Sequence, residues 1–246
     1  MLAHSRSFVH EPKLAPIRSW MWFASLSVFV IALLLDGYIL RSIPAPGNRL
    51  SDMQRLLRIA GYIPTWFVLV SAFVLASSGS RRRVRAMTVG GYVLMSAGIS
   101  GGVAALLKIV VRRPDLRFGA GYEGWETAPL GDRPFDGTDL CFPSEHVAVA
   151  FGATLMLARL YPGASPLLLA LGFGTAVVRV REWGHHPSDT MGSLVVALGV
   201  VALVPCLMRR ASRALSTDSA VAPLGAQRNG VMPGRAISGT SIEPNS

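Results

Sequence analysis

Six long apolar runs constrain this chain more than any other feature: about Trp20 to Leu40, Leu56 to Ser78, Ala86 to Leu107, Ser144 to Leu160, Ser165 to Val178 and Thr190 to Met208. Each is near the roughly 17 to 25 residues that a helix needs to cross the hydrocarbon of a bilayer, the fifth being the shortest. The apolar residues come in continuous blocks and do not alternate with polar ones, so a large soluble core does not account for them. Composition agrees, with 51% of 246 residues hydrophobic and 15% charged, where soluble chains carry about a quarter charged. The expected fold class is all-α, a polytopic membrane helix bundle of about six transmembrane helices over residues 18–210. The flanking segments 1–17 and 211–246 are polar and rich in Ser, Pro, Gly and Ala, and both are expected to be disordered, as a cytoplasmic N-terminal segment and a cytoplasmic tail. The first run is too long for a cleavable signal peptide and begins after a polar segment.

Basic residues near span ends set orientation. Arg81, Arg82, Arg83 and Arg85 between the second and third runs form the strongest block, which puts that loop and both termini in the cytoplasm. The formal charge of +10 resides at span ends and in outer segments, not on an aromatic-studded soluble face, so anionic lipid is the expected partner and nucleic acid is not. Cys141 and Cys206 fall near opposite membrane faces, too far apart for a disulfide. Gly98 and Gly102 give a small-xxx-small spacing on the third span, which usually serves packing within a bundle. The outer loop from Ile109 to Pro143 holds Phe118, Tyr122, Trp125 and Phe135, suited either to a headgroup-level belt or to recognition of a lipid.

The topology brings three chemistry-bearing segments to one membrane face. Lys108, Arg112 and Arg113 end the third span, Pro143 to His146 opens the fourth, and Arg179 to Asp189 joins the fifth to the sixth. Ionisable groups at membrane depth are costly and mark functional sites. Several cations, separated histidines and a carboxylate suit phosphoryl transfer, where a doubly charged phosphate is held while a nucleophile attacks in line. Lys108, Arg113 and Arg179 can neutralise its oxygens. The start of the fourth helix adds backbone N–H groups, and Ser144 adds a hydroxyl. An imidazole serves as nucleophile when a carboxylate fixes its tautomer, and His185 and Asp189, four apart, would face the same way on one helical turn.

These residues resemble the type 2 phosphatidic acid phosphatase superfamily, whose signature is Lys-x6-Arg-Pro, then Pro-Ser-Gly-His, then Ser-Arg-x5-His-x3-Asp. Arg179, His185 and Asp189 match the third part, with Val178 where the family has Ser. Pro143, Ser144 and His146 match the second, with Glu145 in place of Gly. The first part departs most, because Asp115 lies seven residues after Lys108 while Arg113-Pro114 supplies the Arg-Pro pair. The resemblance implies a nucleophilic His185 oriented by Asp189, and His146 as the acid that protonates the leaving oxygen and then activates water. Lys108, an arginine near Arg113, Ser144 and Arg179 would form the phosphate pocket, with no cofactor and no metal.

His186 is the immediate rival to His185 as nucleophile, and a metal site from His146, His185, His186 and Asp189 is chemically possible. Asp115 and Glu145 would weaken phosphate binding unless they turn away or pair with Arg112, Arg117 or Arg181, and Arg181 and Glu182 can pair with each other. The function expected is a metal-independent membrane phosphatase acting on a lipid phosphate or diphosphate at the outer face of a bacterial inner membrane. The alternatives are a lipid phosphotransferase of the same fold and a catalytically degraded membrane binding or scaffold protein. Oligomeric state is not legible.

Overall fold

A computed structural model describes residues 12–44, 51–116, 125, 127–129 and 135–221. Phe118, Tyr122, Arg117 and most of the C-terminal tail lie outside the described residues. The chain divides into two units, Met1–Met208 and Arg209–Ser246; the site belongs to the first.

The protein is an all-helical, multi-pass membrane protein. Seven α-helices are described: α1 Ser19–Ser42, α2 Asp52–Ile59, α3 Ile63–Ala76, α4 Ser80–Val111, α5 Glu145–Leu160, α6 Ser165–Arg181 and α7 Pro187–Val221. A bilayer offers backbone groups no water, so each apolar run closes its own hydrogen bonds as a helix. Among the described residues α1, α4, α6 together with the 3-10 turn Pro162–Ala164 before it, and α7 are long and apolar enough to cross a membrane, with the bent pair α2 and α3 as a fifth span if counted together. Phe23, Leu34, Phe67, Leu75, Leu106 and Leu167 are exposed large apolar side chains on these helices, a surface suited to lipid.

The run at Leu56 to Ser78, expected as one span, is broken. α2 and α3 meet at 76° across Ala60 to Tyr62. α2 starts at a capping box in which the Ser51 side chain accepts from the Gln54 N–H and the Gln54 side chain returns the bond, which anchors a short amphipathic helix. At the break, a Cβ on Gly61 would lie 2.8 Å from His146 Cβ, so only glycine lets the turn approach α5 this closely. Pro64 then opens α3 in the first turn, where a missing N–H costs nothing.

α4 follows Gly79, whose φ of +86° suits glycine. Its 32 residues span about 48 Å, longer than roughly 30 Å of hydrocarbon, so its arginine-rich first turns can stand clear of the apolar layer. α5 has 16 residues, about 24 Å, and does not reach that thickness. It is the centre of the bundle, packed against α4 and α6 with every residue from Val147 to Met156 buried. Small residues permit this, since a Cβ on Gly152 would meet Ser100 Oγ and the Ser96 carbonyl at 2.6 Å.

The close approaches of α4 are at Gly90, against Val70, and Gly101, against Val149, whereas a Cβ on Gly98 or Gly102 would meet nothing within 4 Å. At the N-terminus, residues 12–17 are not structureless as composition suggested. Leu14 and Ile17 pack on the core, and Ala15 exchanges hydrogen bonds with Arg159 at 2.8 Å. α7 runs to Val221, past the position where the sequence reading began a disordered tail.

Candidate active site

The three motif segments converge where α4 ends and α5 and α7 begin. α4 stops at Arg112, which takes a left-handed φ of 55° and turns the chain so that 113–115 lies antiparallel to 139–141. Pro114 and Leu140 form a bridge, Cys141 N–H donates to the Arg113 carbonyl at 2.8 Å, and Asp115 N–H donates to the Asp139 carbonyl at 2.8 Å. A cis Phe142-Pro143 bond follows, then Ser144 as N-cap of α5. Ser193 Oγ donates to the Ser144 carbonyl at 2.9 Å and Ser144 N–H reaches the Asp189 carbonyl at 3.3 Å, which fastens the start of α5 to the first turns of α7.

The Ser144 hydroxyl does not cap α5. It is buried with no hydrogen-bond partner, at a helix N-terminus whose first N–H groups lack intrahelical acceptors. An orphaned buried hydroxyl carries a desolvation cost of about 1–3 kcal/mol, which an oxyanion would relieve.

His185 Nδ1 lies 2.9 Å from the Cys141 carbonyl oxygen and 3.9 Å from Asp189 Oδ2. A carbonyl only accepts, so Nδ1 carries the proton and the Nε2 lone pair is left available. Burial first, and then the nearby Arg179 charge, hold the His185 pKa well below its ordinary value; the ring is neutral. Asp189 hydrogen-bonds the neighbouring histidine instead: its Oδ2 accepts from His186 N–H at 2.7 Å and lies 3.2 Å from His186 Nδ1. His185 and Asp189 do face each other, at 3.9 Å, but His185 precedes α7, which begins at Pro187, and the contact is longer than a hydrogen bond.

The second Asp189 oxygen pairs with Arg113 Nη1 at 2.7 Å, and Arg113 Nη2 pairs with Asp36 Oδ2 at 2.8 Å. Ser188 is drawn in by both of its polar groups, the backbone N–H donating to Asp36 Oδ1 at 2.8 Å. Arg113 is 2% exposed. Burial works to strip its charge, but Asp189 and then Asp36 outweigh that and raise its pKa. The Trp125 ring covers the guanidinium at 4.6 Å and packs edge-on to Phe142. Of the loop aromatics, Trp125 thus shields an ion pair, while Phe135 is exposed. Arg113, expected to hold phosphate, is engaged by two carboxylates in this arrangement.

The remaining cations are also paired. Lys108 Nζ lies 3.0 Å from Glu145 Oε1, and Arg179 Nη1 lies 2.9 Å from Glu182 Oε2. Glu145 therefore turns toward the pocket's lysine, and Glu182 takes Arg179 together with Arg58, at 3.5 Å. Gly184 keeps its loop close to Arg179, whose Nη2 would be 3.2 Å from a Cβ there. His146, in the first turn of α5, stacks edge-on to Tyr62 with ring centroids 4.7 Å apart. The charges that bear on its ring are Arg179, Glu145, Arg58 and Lys108. His146, His185, Lys108 and Arg179 are brought together.

Residues 89–213, half of the chain, match the PAP2 superfamily. The chain belongs to the PAP2 superfamily. All seven motif residues singled out from the sequence fall inside the PAP2 match, whereas Asp36, Arg58 and Tyr62 precede it. No curated protein sequence matches the chain. Among solved structures it is similar to a transmembrane PAP2 type phosphatidylglycerolphosphate phosphatase from Bacillus subtilis, at 16% identity and a TM-score of 0.44, over 78% of this chain and 88% of that one.

A metal reading of this PAP2 site meets a committed donor set. Cys141, His186 and Asp189 offer ligand atoms within 4.8 Å of one another, but the Cys141 thiol donates to the Pro114 carbonyl at 3.0 Å. Burial, and then Asp189, push the thiol pKa far up, and Arg113 holds the carboxylate. A thiol ligand must be deprotonated, which this setting opposes.

Of the residues the sequence did not reveal, Asp36 carried a signal, a lone carboxylate inside an apolar run. The Cys141 carbonyl carried none.

Proposed function

We propose that the protein hydrolyses a lipid phosphate monoester or diphosphate through a phosphohistidine on His185. The observation that carries this reading is the neutral His185 with Nδ1–H committed to a carbonyl and Nε2 available as the nucleophile, and the orphaned Ser144 hydroxyl at the start of α5 accords with it. In the first step the Nε2 lone pair forms a bond to phosphorus while the bond to the lipid oxygen breaks, and His146 gives its proton to that oxygen. In the second, water attacks phosphorus, His146 takes a proton from it, and the nitrogen–phosphorus bond breaks to release inorganic phosphate. Ser144, the α5 N-terminus, Lys108 and Arg179 hold the phosphoryl oxygens. Asp189 sets the loop that presents His185, through His186 and Arg113.

The site faces the outside of a bacterial inner membrane in this reading, with the Arg81 to Arg85 block inside and six crossings in which α5 is a short span enclosed by its neighbours. The assay is phosphate release by detergent-purified protein from a panel of phosphatidic acid, phosphatidylglycerol phosphate, an isoprenoid diphosphate and a lipid A phosphate. Transfer of label to a lipid acceptor without phosphate release would identify a phosphotransferase.

A degraded, substrate-binding protein is the second reading, favoured by the carboxylates already paired with Lys108 and Arg179. Specific lipid phosphate binding with no turnover on any member of the panel would establish it.

A further inference from the structure

α2 is docked so that its last turn faces the candidate phosphate pocket. Thr175 Oγ1 of α6 donates to the Leu57 carbonyl at 2.8 Å, and Leu57 Cδ2 lies where a Cβ on Gly174 would be 2.7 Å away. Arg179 is one turn beyond Thr175 on the same face of α6. Docking Leu57 at Thr175 therefore sets the next residue, Arg58, beside Arg179, with Glu182 between them at 3.5 and 2.9 Å. The same segment packs Gly61 and Tyr62 on His146.

Two independent features of Arg58 point to an anion. Its Nε is buried and has no hydrogen-bond partner, although the side chain as a whole is 37% exposed. Its charge also shifts the balance of the pocket toward an anion. Glu145 offsets Lys108 and Glu182 offsets Arg179, so the two motif cations alone leave no positive excess for a phosphate dianion. Arg58 adds a third cation to Lys108 and Arg179 and offsets the negative charge that Asp36 and Asp189 leave in excess of Arg113.

We propose that Arg58 is a substrate-phosphate ligand, contributed by α2 from outside the family-matched segment, and that Glu182 holds its guanidinium in place until the phosphoryl group arrives. The inference rests on the phosphatase reading for the identity of the ligand. It makes this chain's phosphate affinity depend on a helix that carries none of the motif residues. Glu182 becomes a competitor of the substrate and not a partner to it.

The test uses the full chain in detergent micelles as wild type, Arg58→Gln, Arg58→Lys and Glu182→Gln. KM and kcat are measured on a short-chain phosphatidic acid, and binding of orthovanadate and inorganic phosphate is measured by thermal shift, which needs no turnover. Arg58→Gln is expected to raise KM and weaken vanadate each about tenfold, with kcat within about twofold, and Arg58→Lys to lose about threefold, as for a charge-assisted contact. Glu182→Gln is expected to tighten vanadate binding. Unchanged vanadate affinity in Arg58→Gln, or weaker vanadate binding in Glu182→Gln, overturns the proposal. Vanadate weakened with an unaltered lipid KM also overturns it, because Arg58 would then read a free anion and not the headgroup. If Arg58→Gln does not fold, Arg58→Lys and Glu182→Gln carry the same opposite-signed expectations. Wild-type protein that releases no phosphate while its vanadate binding still depends on Arg58 would defeat the phosphatase reading and leave the Arg58 assignment standing.

Discussion

The His185 ring is held by the backbone carbonyl of Cys141 at 2.9 Å, not by the Asp189 carboxylate, which is 3.9 Å away and engaged with His186. The amide of an asparagine can replace Nδ1–H as a donor to that carbonyl but cannot attack phosphorus. His185→Asn is therefore expected to fold like wild type and to lose phosphate release by at least about a thousandfold, since a covalent nucleophile is removed. Acid-quenched, base-stable phosphate label on each variant checks the assignment. Label that survives His185→Asn and disappears in His186→Asn would move the nucleophile by one residue.

The depressed His185 pKa fixes the pH behaviour. Protonation silences a nucleophile, and burial together with Arg179 delays protonation to well below the ordinary value of 6.5. The acid limb of kcat/KM contributed by His185 accordingly lies below pH 6.5. Stability carries the matching sign: the unfolded chain takes up a proton near 6.5 while the folded ring stays neutral, so the folded state loses stability as pH falls from 6.5 toward the folded pKa. The melting temperature in detergent should fall between pH 7 and pH 5, and less steeply in His185→Asn. An equal pH dependence in both proteins contradicts this account.

Glu145 stands where the family has glycine and pairs with Lys108 at 3.0 Å. Glu145→Gly frees the lysine and removes a negative charge from the mouth of the pocket. KM for a lipid phosphate should fall about three- to tenfold, against a helix-start loss of roughly 0.3–1 kcal/mol. Steady-state kinetics beside a thermal melt separates the two effects, and a raised KM would show that Glu145 assists binding.

Asp36 and Asp189 share the buried Arg113. Removing Arg113 would leave both buried carboxylates uncompensated, at a cost of about 3–5 kcal/mol, whereas removing Asp36 leaves Arg113 paired with Asp189. Arg113→Met should lower the melting temperature sharply, and Asp36→Asn added to it, which removes one of the two stranded charges, should restore part of the loss. A double-mutant cycle on melting temperatures measures the coupling, and strictly additive losses would show that the two act independently.

Much of the helical layout was legible because a bilayer forces long apolar runs into helices. The break at Ala60 to Tyr62 was not, since Leu56 to Ser78 is continuously apolar while the bend depends on Gly61 meeting His146, a contact from far along the chain. At the site, spacing brought Lys108, His146, Arg179 and His185 into one list because the motif segments sit at adjoining helix ends. The four-residue spacing placed His185 and Asp189 3.9 Å apart but did not foretell the hydrogen bond to Cys141, because Pro187 starts α7 after His185 and leaves that ring on a loop beside the Cys141 carbonyl. Asp36 was lost in the hydropathy of its run.

Orientation is the remaining expectation, and it rests on the basic first turns of α4 against the loop that carries Trp125. Arg81, Arg82, Arg83 and Arg85 follow Ser80 at the start of α4, while Thr127 lies in the described part of the loop near Arg112, whose side chain donates to the Ala128 carbonyl at 3.2 Å. A 32-residue helix between these points is longer than the bilayer is thick, so the two ends lie on opposite sides. The positive-inside bias assigns Ser80 to the cytoplasm. Both positions are exposed, and a background without Cys141 and Cys206 has no other thiol. In intact cells a membrane-impermeant maleimide should label Thr127→Cys and spare Ser80→Cys until the membrane is opened. The reverse pattern would invert the protein and put the phosphate pocket in the cytoplasm, where a soluble phosphate ester could reach it as readily as a lipid one.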